Sequence, residues 1–175
     1  SVGAEALSLS GTGNSSGGAL RNISGSNSYA GVITLGAATR INSDAGTITL
    51  SGDIAGTQNL TIGGAGDTTV SGNITTSTGT LTKDGAGTLT ISSSGNTYSG
   101  ATTVSAGTLA VSGSLTSSAV SMTGGDVTIG GTVSTLTASS SGNLSVSGTA
   151  TSVTMASGAD VNVTGTLGWL TFDSG

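Results

Sequence analysis

The sequence predicts an all-β fold, and within that class a parallel β-solenoid, in which the chain coils around a narrow core. Apolar and polar residues alternate in short runs bounded by Gly, which is typical of half-buried strands. The 175 residues include 32 Gly, 31 Ser and 32 Thr, which are weak helix formers. A β-sandwich usually buries large aromatic side chains, but the chain has only one Trp, two Tyr and one Phe. Small aliphatic side chains stacked coil upon coil need no aromatic residues.

Seven runs show the alternation most clearly, with two large aliphatic residues on one face and Thr, Ser, Ala or Asn on the other. A slip of one residue would bury the polar set instead, so the pattern fixes which face points inward. The predicted core consists of Ile48, Leu50, Leu60, Ile62, Leu89, Ile91, Leu109, Val111, Val127, Ile129, Leu144, Val146, Val161 and Val163.

The spacing of the strands predicts the size of a coil. From Val120 onward, apolar pairs recur every eight or nine residues as far as Leu167 and Leu170. Three such strands would make a coil of roughly 25 residues, and the chain would form roughly seven or eight coils. Gly at the corners can adopt positive φ angles, and the absence of Pro leaves every backbone donor available to the ladder. We therefore expect one β-solenoid domain, 1–175.

Composition excludes several classes of function. Without His or Cys, the chain cannot form a Ser-His-Asp triad, a Cys nucleophile, a thiolate zinc site or a disulfide. Three basic residues cannot neutralise a phosphate track, so nucleic acid is not an expected partner. No run approaches 18 consecutive apolar residues, so we expect no transmembrane segment. The chain opens with Ser1 and not Met, which indicates a processed product or a segment of a longer chain.

The chain also repeats itself over longer distances. Residues 27–35 match residues 96–104, and this self-similarity predicts internal repeats at about 27–54 and 81–113. Tyr29 and Tyr98 occupy equivalent positions in the two copies. We expect both Tyr side chains to pack beside a corner of the solenoid.

The second copy carries a specific order of residues. Lys83 is followed by Gly85-Ala86-Gly87-Thr88-Leu89, then by Asn96-Thr97-Tyr98-Ser99-Gly100 and by Gly107-Thr108-Leu109. This order resembles the autotransporter-associated β-strand repeat, which occurs in bacterial autotransporter passengers and other large surface or secreted proteins. The resemblance implies a right-handed parallel β-helix that is extracellular or on the cell surface. It implies no chemistry, because the repeat is a scaffold.

The eight acidic residues are candidate catalytic groups, because some solenoid enzymes place paired carboxylates on one face. Most of these acids sit beside Gly or Ser, however, where Asp commonly caps a turn. The segment 63–67 is similar to a calcium-binding nonapeptide, but its spacing is one residue short and it does not recur. We therefore predict no catalytic residue, no metal site and no cofactor, and interpret these segments as corners.

Thr-x-Thr pairs raise the possibility of ice binding, since some β-solenoid antifreeze proteins present ranks of such pairs. The pairs in this chain are irregularly spaced, and exposed Thr is also an ordinary residue on a solvated strand. They are Thr47/Thr49, Thr80/Thr82, Thr88/Thr90 and Thr135/Thr137.

The strongest apolar cluster lies near the C-terminal end of the sequence. We predict that it contacts another subunit, meeting the apolar residues near the N-terminal end of the next copy. Capping of the last coil is the alternative interpretation. If the chain belongs to a longer polypeptide, the same surfaces would meet covalently linked neighbours. The predicted self-association residues are Val2, Leu7, Leu9, Leu167, Trp169, Leu170 and Phe172.

Together these patterns predict a structural extracellular β-helical protein without enzyme activity. It would be the subunit or repeat segment of a bacterial surface fibre or filament assembled end to end, with further copies of itself as partners. The alternative is an adhesin passenger or stalk of an autotransporter-like protein, which would bind cell-surface or matrix components. A carbohydrate-active enzyme and an ice-binding solenoid are the remaining alternatives.

Overall fold

A computed structural model describes residues 4–138 and 142–173, which form a parallel β-solenoid of about eight turns. Every strand pairing within these residues is parallel. The described residues contain no α-helix, and their one helical element is a short 3-10 turn at Asn14–Ser16. The predicted fold class is therefore confirmed.

Twenty-one short strands make up the solenoid. In chain order they are β1 (Leu7–Gly11), β2 (Leu20–Asn22), β3 (Ser26–Tyr29), β4 (Ile33–Ser43), β5 (Thr47–Leu50), β6 (Ile54–Gly56), β7 (Leu60–Gly63), β8 (Asp67–Val70), β9 (Ile74–Thr75), β10 (Leu81–Lys83), β11 (Thr88–Ile91), β12 (Thr102–Val104), β13 (Thr108–Val111), β14 (Ser114–Leu115), β15 (Val120–Met122), β16 (Asp126–Ile129), β17 (Thr132–Ala138), β18 (Asn143–Val146), β19 (Thr149–Met155), β20 (Asp160–Val163) and β21 (Thr166–Phe172).

The strands form two sheets. The narrow sheet contains eight strands of four residues each, running from β3 through β5, β8, β11, β13, β16 and β18 to β20. The wide sheet contains the other thirteen strands. Each long strand of the wide sheet spans the width that two short strands occupy in other coils. For example, β4 pairs with both β6 and β7, and β17 pairs with both β14 and β15. Each coil therefore has two strand positions on the wide sheet and one on the narrow sheet.

The coils are shorter than the roughly 25 residues predicted from the sequence. Thr47 aligns with Asp67, twenty residues further on, whereas Leu144 aligns with Val161, only seventeen residues further on. The prediction of roughly 25 residues was wrong. In the last coils the two wide-sheet positions merge into one strand, β17, β19 and β21, which shortens the coil further. A coil there contains two apolar pairs spaced eight or nine residues apart, not three.

The aliphatic residues stack in columns through the core. One column of the narrow sheet consists of Leu50, Val70, Ile91, Val111, Ile129 and Val146, each at most 1% exposed. Twelve of the fourteen predicted core residues are buried, which confirms the predicted inward face. The other two, Val161 and Val163, pack against the core but are only partly buried, because they lie in β20, the last strand of the narrow sheet.

Stacked glycines let successive coils approach closely at most of the corners that follow a narrow-sheet strand; after β11, Ser93 takes this position. A Cβ atom on Gly52 would lie 2.0 Å from the carbonyl oxygen of Gly31, and one on Gly131 would lie 1.9 Å from that of Gly113. Backbone atoms cannot yield by that much, so the corner requires Gly at these positions.

Candidate functional site

The predicted C-terminal cluster lies on β21, the last strand of the wide sheet. Trp169 and Phe172 are 74% and 71% exposed, and Leu170 is 44% exposed, whereas Leu167 is partly buried against the core. Leu170 and Phe172 align with Val153 and Met155 of the preceding coil. Trp169 aligns with Ser152 in an outward column, so most of its side chain faces solvent.

The predicted N-terminal residues lie at the opposite end of the solenoid. Leu7 and Leu9 belong to β1, which pairs with β4; Leu7 is partly buried and Leu9 is 7% exposed. Val2 lies outside the described residues. The six described residues therefore do not form one site within a molecule, and the two groups could meet only between molecules.

Sequence reasoning missed an exposed residue at the N-terminal end. Ile23 is 70% exposed and borders a groove of about 430 Å³, which Leu20, Tyr29 and Ile48 also line. The C-terminal end has a smaller groove of about 320 Å³ beside Phe172. Each end of the solenoid therefore presents an apolar surface with a shallow groove.

Two Asp residues at corners, Asp67 and Asp126, accept hydrogen bonds from the backbone of the adjacent coil. Asp67 Oδ1 accepts a hydrogen bond from the Thr88 N–H at 2.8 Å, and Asp126 Oδ1 accepts one from the Asn143 N–H at 2.8 Å. The sequence predicted that Asp would cap its own turn, which is wrong at these two positions, because each carboxylate bonds to the next coil. The interpretation of segment 63–67 as a corner is confirmed.

Two other acids pair with the two arginines along one edge of the wide sheet. Arg21 contacts Asp44 at 2.5 Å, and Arg40 contacts Asp84 at 2.7 Å. The hydrogen bond from Arg21 holds the pKa of the Asp44 carboxyl below its usual value. Asn42 joins the two pairs, accepting from Arg40 and donating to Asp44. The Arg21–Asp44 pair links neighbouring coils, and the Arg40–Asp84 pair links two coils that are separated by one more coil, so both pairs connect parts of the scaffold.

Within residues 4–138 and 142–173, no three acidic residues come close enough together to hold a metal ion. The same residues include no helix with the length and hydropathy needed to cross a bilayer.

Lys83 is the least expected residue of the core. Its side chain is 2% exposed and replaces an aliphatic residue in a column between Ile62 and Val104. The Nζ atom donates to the carbonyl oxygens of Asp84, Gly85 and Ala106 at 2.7, 2.9 and 3.1 Å. Burial lowers the pKa of the ammonium group. Lys83 thus ties its own corner to the corner of the next coil.

Asn96 lies between β11 and β12, in a segment that forms no strand. Its Oδ1 accepts from the Ile74 N–H at 2.8 Å, and its Nδ2 donates to the carbonyl oxygens of Ser93 and Ser114 at 2.8 and 2.9 Å. Ile74 lies in the coil before Asn96, and Ser114 lies in the coil after it. One buried amide therefore connects three consecutive coils.

Tyr98 is 1% exposed and begins a chain of buried hydroxyl groups. Its Oη lies 2.6 Å from Thr102 Oγ1, which lies 2.8 Å from Ser118 Oγ, and Ser118 donates to the Gly100 carbonyl at 2.7 Å. Burial raises the pKa of the Tyr98 phenol. Tyr29, by contrast, lies in β3 of the narrow sheet and aligns with Leu50. The predicted equivalence of the two Tyr residues was therefore wrong.

Lys83, Asn96 and Tyr98 belong to one segment that is similar to a known family. Residues 81–111 match the family model of the passenger-associated-transport-repeat. This match confirms the resemblance to an autotransporter-associated repeat over the second predicted copy. No curated protein and no solved structure shows significant similarity to the chain.

The segment that matches the passenger-associated-transport-repeat contains strands β10, β11, β12 and β13, which alternate between the two sheets. Lys83, Asn96 and Tyr98 all point inward and bond across or between coils. The characteristic polar residues of this segment thus hold the solenoid together, and none of the three is exposed to a substrate.

The Thr residues form a pattern that sequence reasoning missed. Thr47/Thr49 and Thr88/Thr90 share the narrow sheet, but Thr82 and Thr137 lie on the wide sheet. One outward column of the wide sheet has a Thr or Ser on every strand from β7 to β21. Its members lie in different coils, so only the register reveals this column, which consists of Thr61, Thr82, Thr103, Ser121, Thr137, Thr154 and Thr171.

Proposed function

We propose that this chain is a structural β-solenoid segment of a passenger-type protein, displayed on the cell surface or secreted. We further propose that its coils stack end to end with those of other copies to form a rod or fibre. The observation that carries this proposal is the exposed apolar strand β21, which continues the core columns of a solenoid containing a passenger-associated-transport-repeat.

The physical case for stacking rests on β21. An edge strand presents unpaired backbone groups that can template a further strand. Burying a large apolar side chain such as Trp169 or Phe172 contributes about 1.5–3 kcal/mol. Because the two ends of the solenoid differ, the contact is head to tail, and a contact of this kind propagates as a fibre unless it closes into a ring. Each added coil would lengthen the rod by about 4.8 Å.

A scaffold role also agrees with the arrangement of the acids. Asp67 and Asp126 bond to the backbone of the next coil, and Asp44 and Asp84 pair with arginines. We therefore propose that the chain has no catalytic activity and requires no metal ion or cofactor.

Electron microscopy and sedimentation of the purified chain test the proposal. We expect fibres or extended rods of many copies. Trp169→Asp places a charge on the exposed strand and should prevent their formation, whereas Thr69→Asp, on the outer face of the narrow sheet in the middle of the solenoid, should leave assembly unchanged. Strictly monomeric rods of the wild-type chain would contradict end-to-end association. Fibres that form equally well with Trp169→Asp would remove β21 from the contact.

A further inference from the structure

We propose that the corner between β10 and β11 is a binding site for a monovalent cation the size of an ammonium ion, and that Lys83 fills this site with its own side chain. The groups that bind the cation are backbone carbonyl oxygens. The site would therefore take a primary ammonium ion or a bare cation of similar radius, such as K⁺. This inference goes beyond the proposed function and does not depend on end-to-end association.

Three carbonyl oxygens converge on the Lys83 Nζ atom. Those of Asp84 and Gly85, in the corner itself, lie 2.7 and 2.9 Å away, and that of Ala106, in the next coil, lies 3.1 Å away. An ammonium group has three N–H donors, so each donor has one acceptor. A Cβ atom on Gly107 would lie 2.7 Å from Nζ, so the absence of a side chain there leaves room for the cation. The backbone of two coils thus forms a carbonyl cage around one positive charge.

The three oxygens of the carbonyl cage take no part in the backbone ladder. A neighbouring corner carbonyl, that of Gly107, accepts the Asp126 N–H of the next coil at 2.8 Å. In the described part of the chain, no backbone N–H donates to any of the three oxygens of the cage. Removing the ammonium group would therefore leave three acceptors without a protein donor, which is unfavourable unless another group replaces it.

The charges around the carbonyl cage bear on what it binds. Burial lowers the pKa of Lys83, and the Arg40 guanidinium lowers it further, whereas the carboxylates of Asp84 and Asp67 raise it. The two carboxylates therefore attract a positive charge in the cage. A hydrogen bond from a charged donor is also roughly twice as strong as one from a neutral donor. We therefore expect the cage to select a cation over a neutral molecule of the same shape.

A second corner uses the same carbonyl position with a different donor. In the first coil, Asn22 Nδ2 donates to the carbonyl oxygens of Gly25 and Ala45 at 3.2 and 3.1 Å. Ala45 and Ala106 each stand two residues before a strand of the narrow sheet, so they occupy equivalent positions in their corners. The backbone therefore supplies the acceptors at both corners, and only the donor differs.

Removing the end of the Lys83 side chain should open the carbonyl cage to a free cation. Lys83→Ala deletes Cγ, Cδ, Cε and Nζ from a buried side chain that lies in the core column between Ile62 and Val104. Ethylammonium is shorter than the deleted group by one carbon, and it fits because a van der Waals contact replaces the covalent bond to Cβ. Its ammonium group can then reach the three oxygens, whereas K⁺ can occupy the cage alone.

Thermal unfolding of Lys83→Ala, followed by circular dichroism at constant ionic strength, tests the proposal. We expect ethylammonium at about ten times its Kd to raise the melting temperature by about 3–6 °C relative to the same concentration of Na⁺. Ethanol, a neutral molecule of the same shape, should cause no such rise. If Lys83→Ala does not fold in Na⁺ alone, its refolding from urea in ethylammonium takes the place of the melting temperature.

The wild-type chain and Lys83→Met are the controls. The cage is already filled in the first, and the core column is filled in the second, so neither should respond to ethylammonium. A rise with K⁺ as large as that with ethylammonium would extend the site to bare cations, and a rise with ethylammonium alone would restrict it to primary ammonium ions. An equal effect of ethanol, an equal response of Lys83→Met, or no response of Lys83→Ala to either cation would overturn the proposal. Microscopy of the wild-type chain tests end-to-end association separately.

Discussion

Arg40 and Asp84 form a bidentate ion pair across two coils, directly above Gly63. The two guanidinium nitrogens of Arg40 lie 2.7 and 2.8 Å from the carboxylate oxygens of Asp84, 44 residues further along the chain. Gly63 occupies the coil between them, and a Cβ atom there would lie 1.9 Å from Asp84 Oδ1 and 2.4 Å from Arg40 Nη2. The absence of a side chain at Gly63 makes room for the pair.

The first prediction follows from this arrangement. Gly63→Ala should displace the ion pair and lower the free energy of unfolding by up to about 1 kcal/mol, because the pair is partly exposed. In an Asp84→Ala background the closer contact is gone and Arg40 has lost the partner that holds it over Gly63, so the same substitution should cost less. Urea unfolding of the single and double variants measures this coupling. An equal cost in both backgrounds would contradict the steric explanation.

The second prediction concerns Asn96, whose amide connects three coils. Asn96→Ala leaves the Ile74 N–H without its acceptor and should lower the free energy of unfolding by about 1–3 kcal/mol. Asn162→Ala is the control, since Asn162 is exposed on β20 and should change stability by less than about 0.5 kcal/mol. Equal urea midpoints for the two variants would show that the Asn96 bonds contribute nothing.

The third prediction concerns metal ions. Asp67 and Asp126 already bond to the backbone of adjacent coils, so we expect EDTA to leave the melting temperature unchanged and added calcium not to raise it. Thermal unfolding followed by circular dichroism is a sufficient measurement. A large fall in melting temperature with EDTA would revive the calcium interpretation of segment 63–67.

The sequence predicted the columns of aliphatic residues because their signal is local. In a strand such as β16, Val127 and Ile129 alternate with polar residues, and alternation alone fixes which face points inward. The length of a coil was harder to predict, because it depends on whether two strand positions merge, as in β17. The sequence of a single strand does not indicate whether the two positions merge.

The buried polar residues could not be predicted from composition. Lys is almost never fully buried unless it has partners, and the partners of Lys83 are carbonyl oxygens, which every residue has. Asn96 likewise uses backbone groups of coils that lie far apart in sequence. Only the register of the coils brings these groups together, so their roles become visible in the structure alone.

The fourth prediction concerns alkaline pH. Burial raises the pKa of Tyr98 above its ordinary value of 10.0, so the unfolded chain loses this proton at lower pH than the folded chain. The contribution of Tyr98 is therefore fully present below about pH 10 and is lost as pH rises through its folded pKa. Lys83 acts in the opposite direction: its lowered pKa means that stability rises with pH between the folded value and 10.5.

Urea unfolding between pH 8 and pH 11 separates these two contributions. Tyr98→Phe should reduce the loss of stability above pH 10. Lys83→Met should remove the rise in stability between the folded pKa of Lys83 and pH 10.5. The relevant quantity is the slope of stability against pH, because both variants also remove hydrogen bonds. A slope for Tyr98→Phe identical to that of the wild type would show that Tyr98 does not cause the loss of stability at alkaline pH.

The last prediction is a stabilising substitution. Thr68 replaces an aliphatic residue in a narrow-sheet column, between Ile48 and Leu89, and it is 2% exposed. Its Oγ1 is the one buried side-chain polar atom in the described part of the chain that has no hydrogen-bond partner. Thr68→Val keeps the branched shape and removes the unsatisfied hydroxyl, so the free energy of unfolding should increase by about 1 kcal/mol. Thr69→Val, on the outer face of the same strand, is the control and should change it by less than about 0.5 kcal/mol. A urea midpoint of Thr68→Val at or below that of the wild type would show that the hydroxyl is satisfied in solution.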